Sequence, residues 1–175
     1  GADALRMWHL EQDVAIVSFR TKQHTIGDDV LEGMLRALDE AERGFAGLVI
    51  WQTKEPFSFG ANLATLAPAV QSGRWDTVEA VVARFQQSSL RLRYSLIPTV
   101  AAVRGMALGG SCEFIMHCDR AVAALESYVG LVEAGVGLLP GGGGTKEFAV
   151  RAADAVRQGP TGGQADHFPF LRASF

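Results

Sequence analysis

Apolar residues recur along this chain with two different periods, and the alternation between them predicts its elements. Short runs rich in Val, Ile or Phe, bounded by turn residues or charge, predict strands at Val14–Phe19, Leu48–Trp51, Thr99–Val103, Arg120–Ala123 and Tyr128–Gly130. Between them, Leu31, Met34, Leu35, Leu38 and Ala41 follow the helical i, i+3, i+4, i+7 spacing, opened by Asp28 and Asp29. A longer helical pattern runs through Val78, Val81, Val82, Phe85, Ser89 and Leu92. Gly110–Cys118 is apolar on nearly every side and predicts a short buried helix. A last helix is predicted from about Thr145, carrying Phe148 and Val150. Strands that alternate with helices indicate an α/β domain. From Gly159 the composition shifts to Pro, Gly, Gln, Asp and His, as in a mobile loop, and Phe168–Phe175 reads as the start of a further element.

Composition narrows the function classes. A chain of 175 residues can bury one sizeable core. A net charge of -3 without clustered Lys and Arg argues against nucleic acid as the main partner. Arg91 and Arg93, beside Tyr94, read as the solvated face of a helix. No run approaches the 18 apolar residues of a membrane span. Cys112 and Cys118 stand in an apolar segment and read as reduced core residues, which leads us to expect a cytoplasmic protein. His117 reads as a satisfied core histidine or a partner of Glu113, while His9, His24 and His167 read as surface residues. No metal site is expected.

Three glycine-rich segments stand out. Phe57–Leu63 follows a predicted strand. Val103–Glu113 passes from a strand through Gly105, Gly109 and Gly110 into the buried helix. Glycines at such a junction let backbone N–H groups approach a ligand, and the positive end of the helix favours negative charge on oxygen. Glu133–Pro140 runs into four glycines and then Thr145-Lys146-Glu147. Nucleotide binding has weak support there, because neither the P-loop nor the dinucleotide spacing is met. Glu113 places a carboxylate among Cys112, Phe114, Ile115 and Met116, a setting for a raised pKa and acid–base work or, alternatively, for a core ion pair or cap. Glu133 follows a short strand, and an ordinary cap or surface role is the alternative for it. Two carboxylates in such settings can divide acid and base roles if the fold brings them together.

The run Val100-Ala101-Ala102-Val103-Arg104-Gly105-Met106-Ala107-Leu108-Gly109-Gly110-Ser111-Cys112-Glu113 resembles the central signature of the crotonase superfamily, the enoyl-CoA hydratases and isomerases. Phe57–Leu63 resembles that family's earlier oxyanion loop, and Glu133–Thr145 its second-glutamate segment. The resemblance implies a crotonase-like ββα spiral core over residues 1–158, with the C-terminal helical region largely absent and 159–175 holding a loop and the start of that region. It implies an acyl-CoA thioester substrate, with its oxygen held by the Ala61 and Gly110 N–H groups, and Glu113 and Glu133 as the acid–base pair. It places CoA contacts at His24, Ile26, Ser58, Asn62, Leu63 and Leu108, mostly through backbone atoms. No cofactor is implied, since CoA is part of the substrate. His24 stands where Asn is frequent, Asn62 where Asp is common and Ser111 where Gly is frequent.

The activity implied first is enoyl-CoA hydration across the 2,3 double bond in fatty-acid β-oxidation, because both glutamates are present. Isomerisation of 3-enoyl-CoA to 2-enoyl-CoA and a non-catalytic acyl-CoA-binding module are the alternatives. A homo-oligomer is implied, a trimer or dimer of trimers. The Gly-Gly-Gly-Gly-Thr-Lys-Glu form of the third segment also resembles modules fused to 3-hydroxyacyl-CoA dehydrogenases, which implies a fragment of a multifunctional protein.

Overall fold

The computed structural model describes residues 4–10 and 13–158. Five strands form the larger sheet, in the order β1 (Leu5–His9), β2 (Val14–Phe19), β3 (Gly47–Trp51), β4 (Thr99–Val103) and, at the far edge, Arg120–Ala123. β1 runs antiparallel to β2, with Met7 opposite Val17, and every later pair is parallel. Each parallel step needs a crossover, and helices supply it. α1 (Asp28–Gly44) links β2 to β3, and α2 (Leu63–Gln71) with α3 (Trp75–Arg93) links β3 to β4. β5 (Met106–Leu108) leaves the larger sheet, α4 (Gly110–His117) follows, and Arg120–Ala123 returns to the sheet as β6. β7 (Tyr128–Gly130) pairs in parallel with β5 as a second, two-stranded sheet, and α5 (Gly144–Gln158) closes the described chain.

The core forms where α1 meets the sheet. Val30, Leu31, Met34, Ala37, Leu38 and Ala41 are buried against Ala15, Val17, Leu48, Ile50 and Ala101. Leu35, which the spacing also places on the apolar face, is only half-buried. The stripe turns instead toward Gly33, where an added Cβ would come within 3.1 Å of Leu5. α4 is buried along its whole length, as its all-round apolar pattern predicts.

The structure departs from the sequence expectations at several elements. β1 escapes the period-two pattern because Trp8 and His9 break the alternation that Leu5, Arg6 and Met7 begin. β5 is only three residues long, below the reach of any periodicity. α2 falls in a stretch for which the pattern predicts no element. Pro68 sits inside it, and the helix is held at its start by the Asn62 side chain, which accepts from the Ala64 N–H at 3.2 Å. Arg91 and Arg93 are not a solvated face. Arg91 donates to both Glu42 oxygens, at 2.7 and 2.6 Å, and to Asp39 at 3.0 Å, tying α3 to α1, while Arg93 reaches Glu147 in α5. His167 and the segment 159–175 lie outside the described residues. Among the described residues no helix is long and apolar enough to cross a membrane.

Candidate active site

Two backbone junctions meet at one point. Ile26 bridges Ala61 in parallel fashion: its N–H donates to Gly60 O, and its carbonyl accepts from Asn62 N–H, both at 2.8 Å. That pairing uses the groups on either side of Ala61 and turns the Ala61 N–H away from Ile26. On the other side, Gly110 opens α4, so its N–H has no carbonyl partner within the helix. The two amides are neighbours, since a Cβ built on Gly110 would lie 3.4 Å from Ala61 N. The approach depends on glycine. Gly60 has φ +81°, and a side chain there would collide with the Leu108 carbonyl and come within 2.9 Å of Gly110 N. Gly109, with φ +56°, lets the chain turn into α4, and a Cβ on it would stand 3.1 Å from Glu133 Oε1.

Glu113 projects from the first turn of α4 and is 2% exposed. Its Oε1 accepts two backbone hydrogen bonds, from Gly142 and Gly144, both at 2.8 Å. Its Oε2 faces Gly142 so closely that a Cβ there would lie 2.5 Å away. The glycine run before α5 is therefore a cradle for a carboxylate. Burial pushes the Glu113 carboxyl above its ordinary value, the Gly144 N–H pulls it back, the nearby Glu133 charge raises it again and the Gly142 N–H opposes that. The net direction is up. Such a carboxyl accepts a proton more readily than an exposed one.

Glu133 begins a short 3-10 turn, Glu133–Val136, just after β7. Its Oε2 is buried and has no hydrogen-bond partner. Glu113, Glu133, Ala61 and Gly110 all line one cavity of about 430 Å³. The remaining wall is mostly apolar and comes from Leu66, Ala67 and Val70 of α2 and from Val78, Val82 and Phe85 of α3. The first half of the α3 stripe thus lines the cavity, and only Phe85, Ser88, Ser89 and Leu92 join the buried interior. Phe85 packs on Phe114 with ring centroids 5.1 Å apart, and a Cβ on Gly110 or Gly142 would meet its ring at 2.6 or 2.7 Å.

Of the six residues expected to contact CoA, Ile26, Asn62 and Leu63 line the cavity. Ser58 and Leu108 stand behind its wall. Ser58 is fully buried, its Oγ accepts from Gly60 N–H at 3.0 Å, and its carbonyl accepts from Leu108 N–H at 3.1 Å and Ser111 O–H at 2.8 Å. His24 is half-buried, with Nδ1 2.6 Å from Pro56 O, and does not reach the cavity. Sequence reasoning passed over the α2 wall and the Gly142 and Gly144 donors. The four-glycine run was the available signal for the donors. His117 Nδ1 bonds the Glu113 carbonyl at 2.7 Å rather than its carboxylate. Cys112 and Cys118 are free and buried, with both thiols pushed up to about 12 by burial. Among the described residues no three His, Cys, Asp or Glu side chains group closely enough to hold a metal ion.

This arrangement has counterparts. The enoyl-CoA hydratase/isomerase family model matches residues 9–156. A probable 3-hydroxyacyl-CoA dehydrogenase of Bacillus subtilis is 44% identical over 141 residues, covering 81% of this chain and 18% of that protein. A putative fatty acid oxidation complex trifunctional enzyme of Rickettsia felis is 36% identical over 132 residues, covering 75% of this chain and 18% of the relative. This chain therefore spans under a fifth of the length of both relatives. A crystal structure of an enoyl-CoA hydratase from Polaromonas sp. JS666 shares the fold with a TM-score of 0.78 at 24% identity, over 87% of this chain and 61% of that one. The match runs from before β2 into α5 and takes in both glycine junctions and both glutamates: the chain belongs to the enoyl-CoA hydratase/isomerase family, with its crotonase-type α/β core.

Proposed function

We propose that this chain is the enoyl-CoA hydratase module of a multifunctional fatty-acid oxidation protein, adding water across the 2,3 double bond of a 2-enoyl-CoA. The observation that carries this reading is the convergence of two carboxyl groups and two free-facing backbone amides on one apolar-walled cavity. The amides of Ala61 and Gly110 hold the thioester oxygen, and they hold it harder as it gains enolate charge at the positive end of α4. Losing one such donor costs about 3–4 kcal/mol in the barrier. Glu113 takes a proton from water as the oxygen bonds to the β-carbon, and the π electrons move toward the thioester. Glu133, whose carboxyl flanks Gly109 beside the amide pair, gives a proton to the α-carbon. Proton exchange with solvent then resets the two acids.

Ile26, Asn62 and Leu63 form the entry wall for the CoA arm, and Ser58, Leu108 and His24 support that wall from behind. The dehydrogenase fusion is supported by the names and lengths of the two bacterial relatives. A homo-oligomer of trimer type is supported by apolar residues left exposed around β5, β6 and β7, among them Met106, Val122, Leu125 and Tyr128. The two reduced thiols support a cytoplasmic location.

One observation favours double-bond isomerisation as a second reading: the unpartnered Glu133 Oε2 could by itself carry a proton between the α- and γ-carbons. Absorbance separates the two. Hydration of crotonyl-CoA removes the conjugated-enone band, whereas isomerisation of a 3-enoyl-CoA creates it. A module that only binds acyl-CoA does neither. Glu113→Gln and Glu133→Gln are each expected to lower hydration by about two orders of magnitude or more with CoA binding nearly unchanged. Turnover at the wild-type rate in either variant removes that residue from the mechanism.

A further inference from the structure

A second buried carboxylate lies directly behind the first. Glu147, in the first turn of α5, is 1% exposed and does not line the cavity. Its Oε2 accepts from Arg93 Nη1 at the end of α3 at 2.5 Å, and its Oε1 lies 2.8 Å from Lys146 Nζ. His117 of α4 faces the same Oε1 across 3.8 Å. Among the described residues the charged and titratable groups around it are Arg93 from α3, His117 from α4 and Lys146 from its own helix.

Glu147 is tied to Glu113 along two short routes. Its amide donates to Gly143 O at 3.0 Å, and Gly143 sits between the two glycines that donate to Glu113 Oε1. Gly143, with φ +99°, rests over the His117 ring, where a Cβ would stand 3.5 Å from Cε1. The same imidazole holds the Glu113 carbonyl at 2.7 Å. The glycine run has no side chains of its own to fix it: Gln86 of α3 donates to Gly141 O at 2.7 Å and holds its start, and the helix it opens sets its far end. A buried carboxylate paired across helices with Arg93, and with Lys146 beside it, orients that helix directionally, which an apolar contact does not.

We infer that Glu147 is a positioning residue for Glu113: clamped by Arg93 and Lys146, it fixes the start of α5 so that the Gly142 and Gly144 amides remain on Glu113 Oε1. The inference deepens the proposed hydratase reading and rests on it for the role of Glu113. Glu113 is at the same time exposed to the Glu133 charge, and the two glycine amides are what oppose that charge and the effect of burial. When the clamp is released, the amide bonds loosen and the Glu113 pKa moves further up.

The test uses the full-length protein that carries this chain. Glu147→Gln is expected to lower kcat for crotonyl-CoA hydration about 100-fold, with KM little changed and the acid limb of the kcat profile moved to higher pH. Glu147→Asp, which keeps the charge, is expected to recover part of kcat. Because an uncompensated Arg93 could compromise folding, the paired variant Arg93→Met/Glu147→Met removes both charges together and is expected to fold yet keep the lowered kcat and the shifted limb. Wild-type kcat and acid limb in folded Glu147→Gln or the paired variant overturn the inference. So does a lowered kcat with an unmoved acid limb, which marks a merely structural role. An inactive wild type rejects the hydratase reading instead. The clamp is then read by infrared titration of the Glu113 carboxyl, assigned by its loss in Glu113→Gln, and a titration that Glu147→Gln leaves unmoved overturns it.

Discussion

Glu113 shows how a single side chain can be placed for chemistry at the expense of stability. Two amides satisfy Oε1, but the group remains buried next to a second acid, and its folded pKa lies above the ordinary 4.5. The sign of the linkage follows from that direction. An acid whose folded pKa is raised favours the fold in its protonated form, so its contribution is fully present below the ordinary value and is lost as pH rises through the folded one. Ionising this carboxyl is therefore a net burden on the fold at any pH above its ordinary value. Glu113→Gln keeps an oxygen for the Gly142 and Gly144 amides and removes the charge. The variant is expected to be inactive yet to melt higher than wild type at pH 7, with the gain fading toward pH 4. An unchanged or lower melting temperature at pH 7 would show that Glu113 is not strained by its setting.

The pairing of helices depends on ion pairs that the chain pattern does not announce. Glu42 of α1 accepts from Arg91 of α3 with both oxygens, and also from Leu96 N–H at 2.8 Å and Ser95 O–H at 3.2 Å. The Arg91 hydrogen bonds, outweighing burial, hold the Glu42 carboxyl down at about 2. Here the folded pKa is depressed, so the contribution is present above the ordinary 4.5 and is lost as pH falls through about 2. With solvent screening taken into account, the pair is worth about 1–2 kcal/mol at neutral pH. Glu42→Gln is expected to lose that amount in urea denaturation at pH 7 and to show a flatter stability profile between pH 4.5 and 2. Equal slopes for the variant and wild type over that window would exclude the pair as a stabilising contact. α3 thus has two duties. Its C-terminal half is fastened to α1 by Arg91 and to α5 by Arg93, while its N-terminal half, through Val78, Val82 and Phe85, walls the cavity.

Across the protein, apolar exposure is uneven. The segment that runs from β6 into β7 leaves Val122 at 65%, Leu125 fully and Tyr128 at 64% exposed, more than scattered surface residues explain. If the full-length protein assembles through this segment, sedimentation is expected to give a multiple of three subunits, and Leu125→Glu with Tyr128→Glu should release smaller species without loss of folding. A wild-type monomer at micromolar concentration would exclude the oligomer.

Local pattern alone determined much of this protein. Short apolar runs bounded by turn residues located β2, β3, β4, β6 and β7, the 3.6-residue period located α1 and α3, and an all-round apolar stretch located α4; for β2, β3, α1 and α4 the pattern records which side chains leave water, whereas β6 and β7 stay largely exposed. The glycine junctions at Gly60 and Gly109 were legible for the same kind of reason, since a chain without Cβ atoms at a strand–helix junction signals close backbone approach. Three elements were not legible. β1 loses its alternation at Trp8 and His9, β5 is three residues long, and α2 carries Pro68 in its interior. What only the tertiary structure decided is which groups meet. Glu113 receives its amides from residues 29 and 31 positions away, and Arg93 meets Glu147 across 54. Such pairings depend on how α3, α4 and α5 pack against one another, and no periodicity within a single element contains that information.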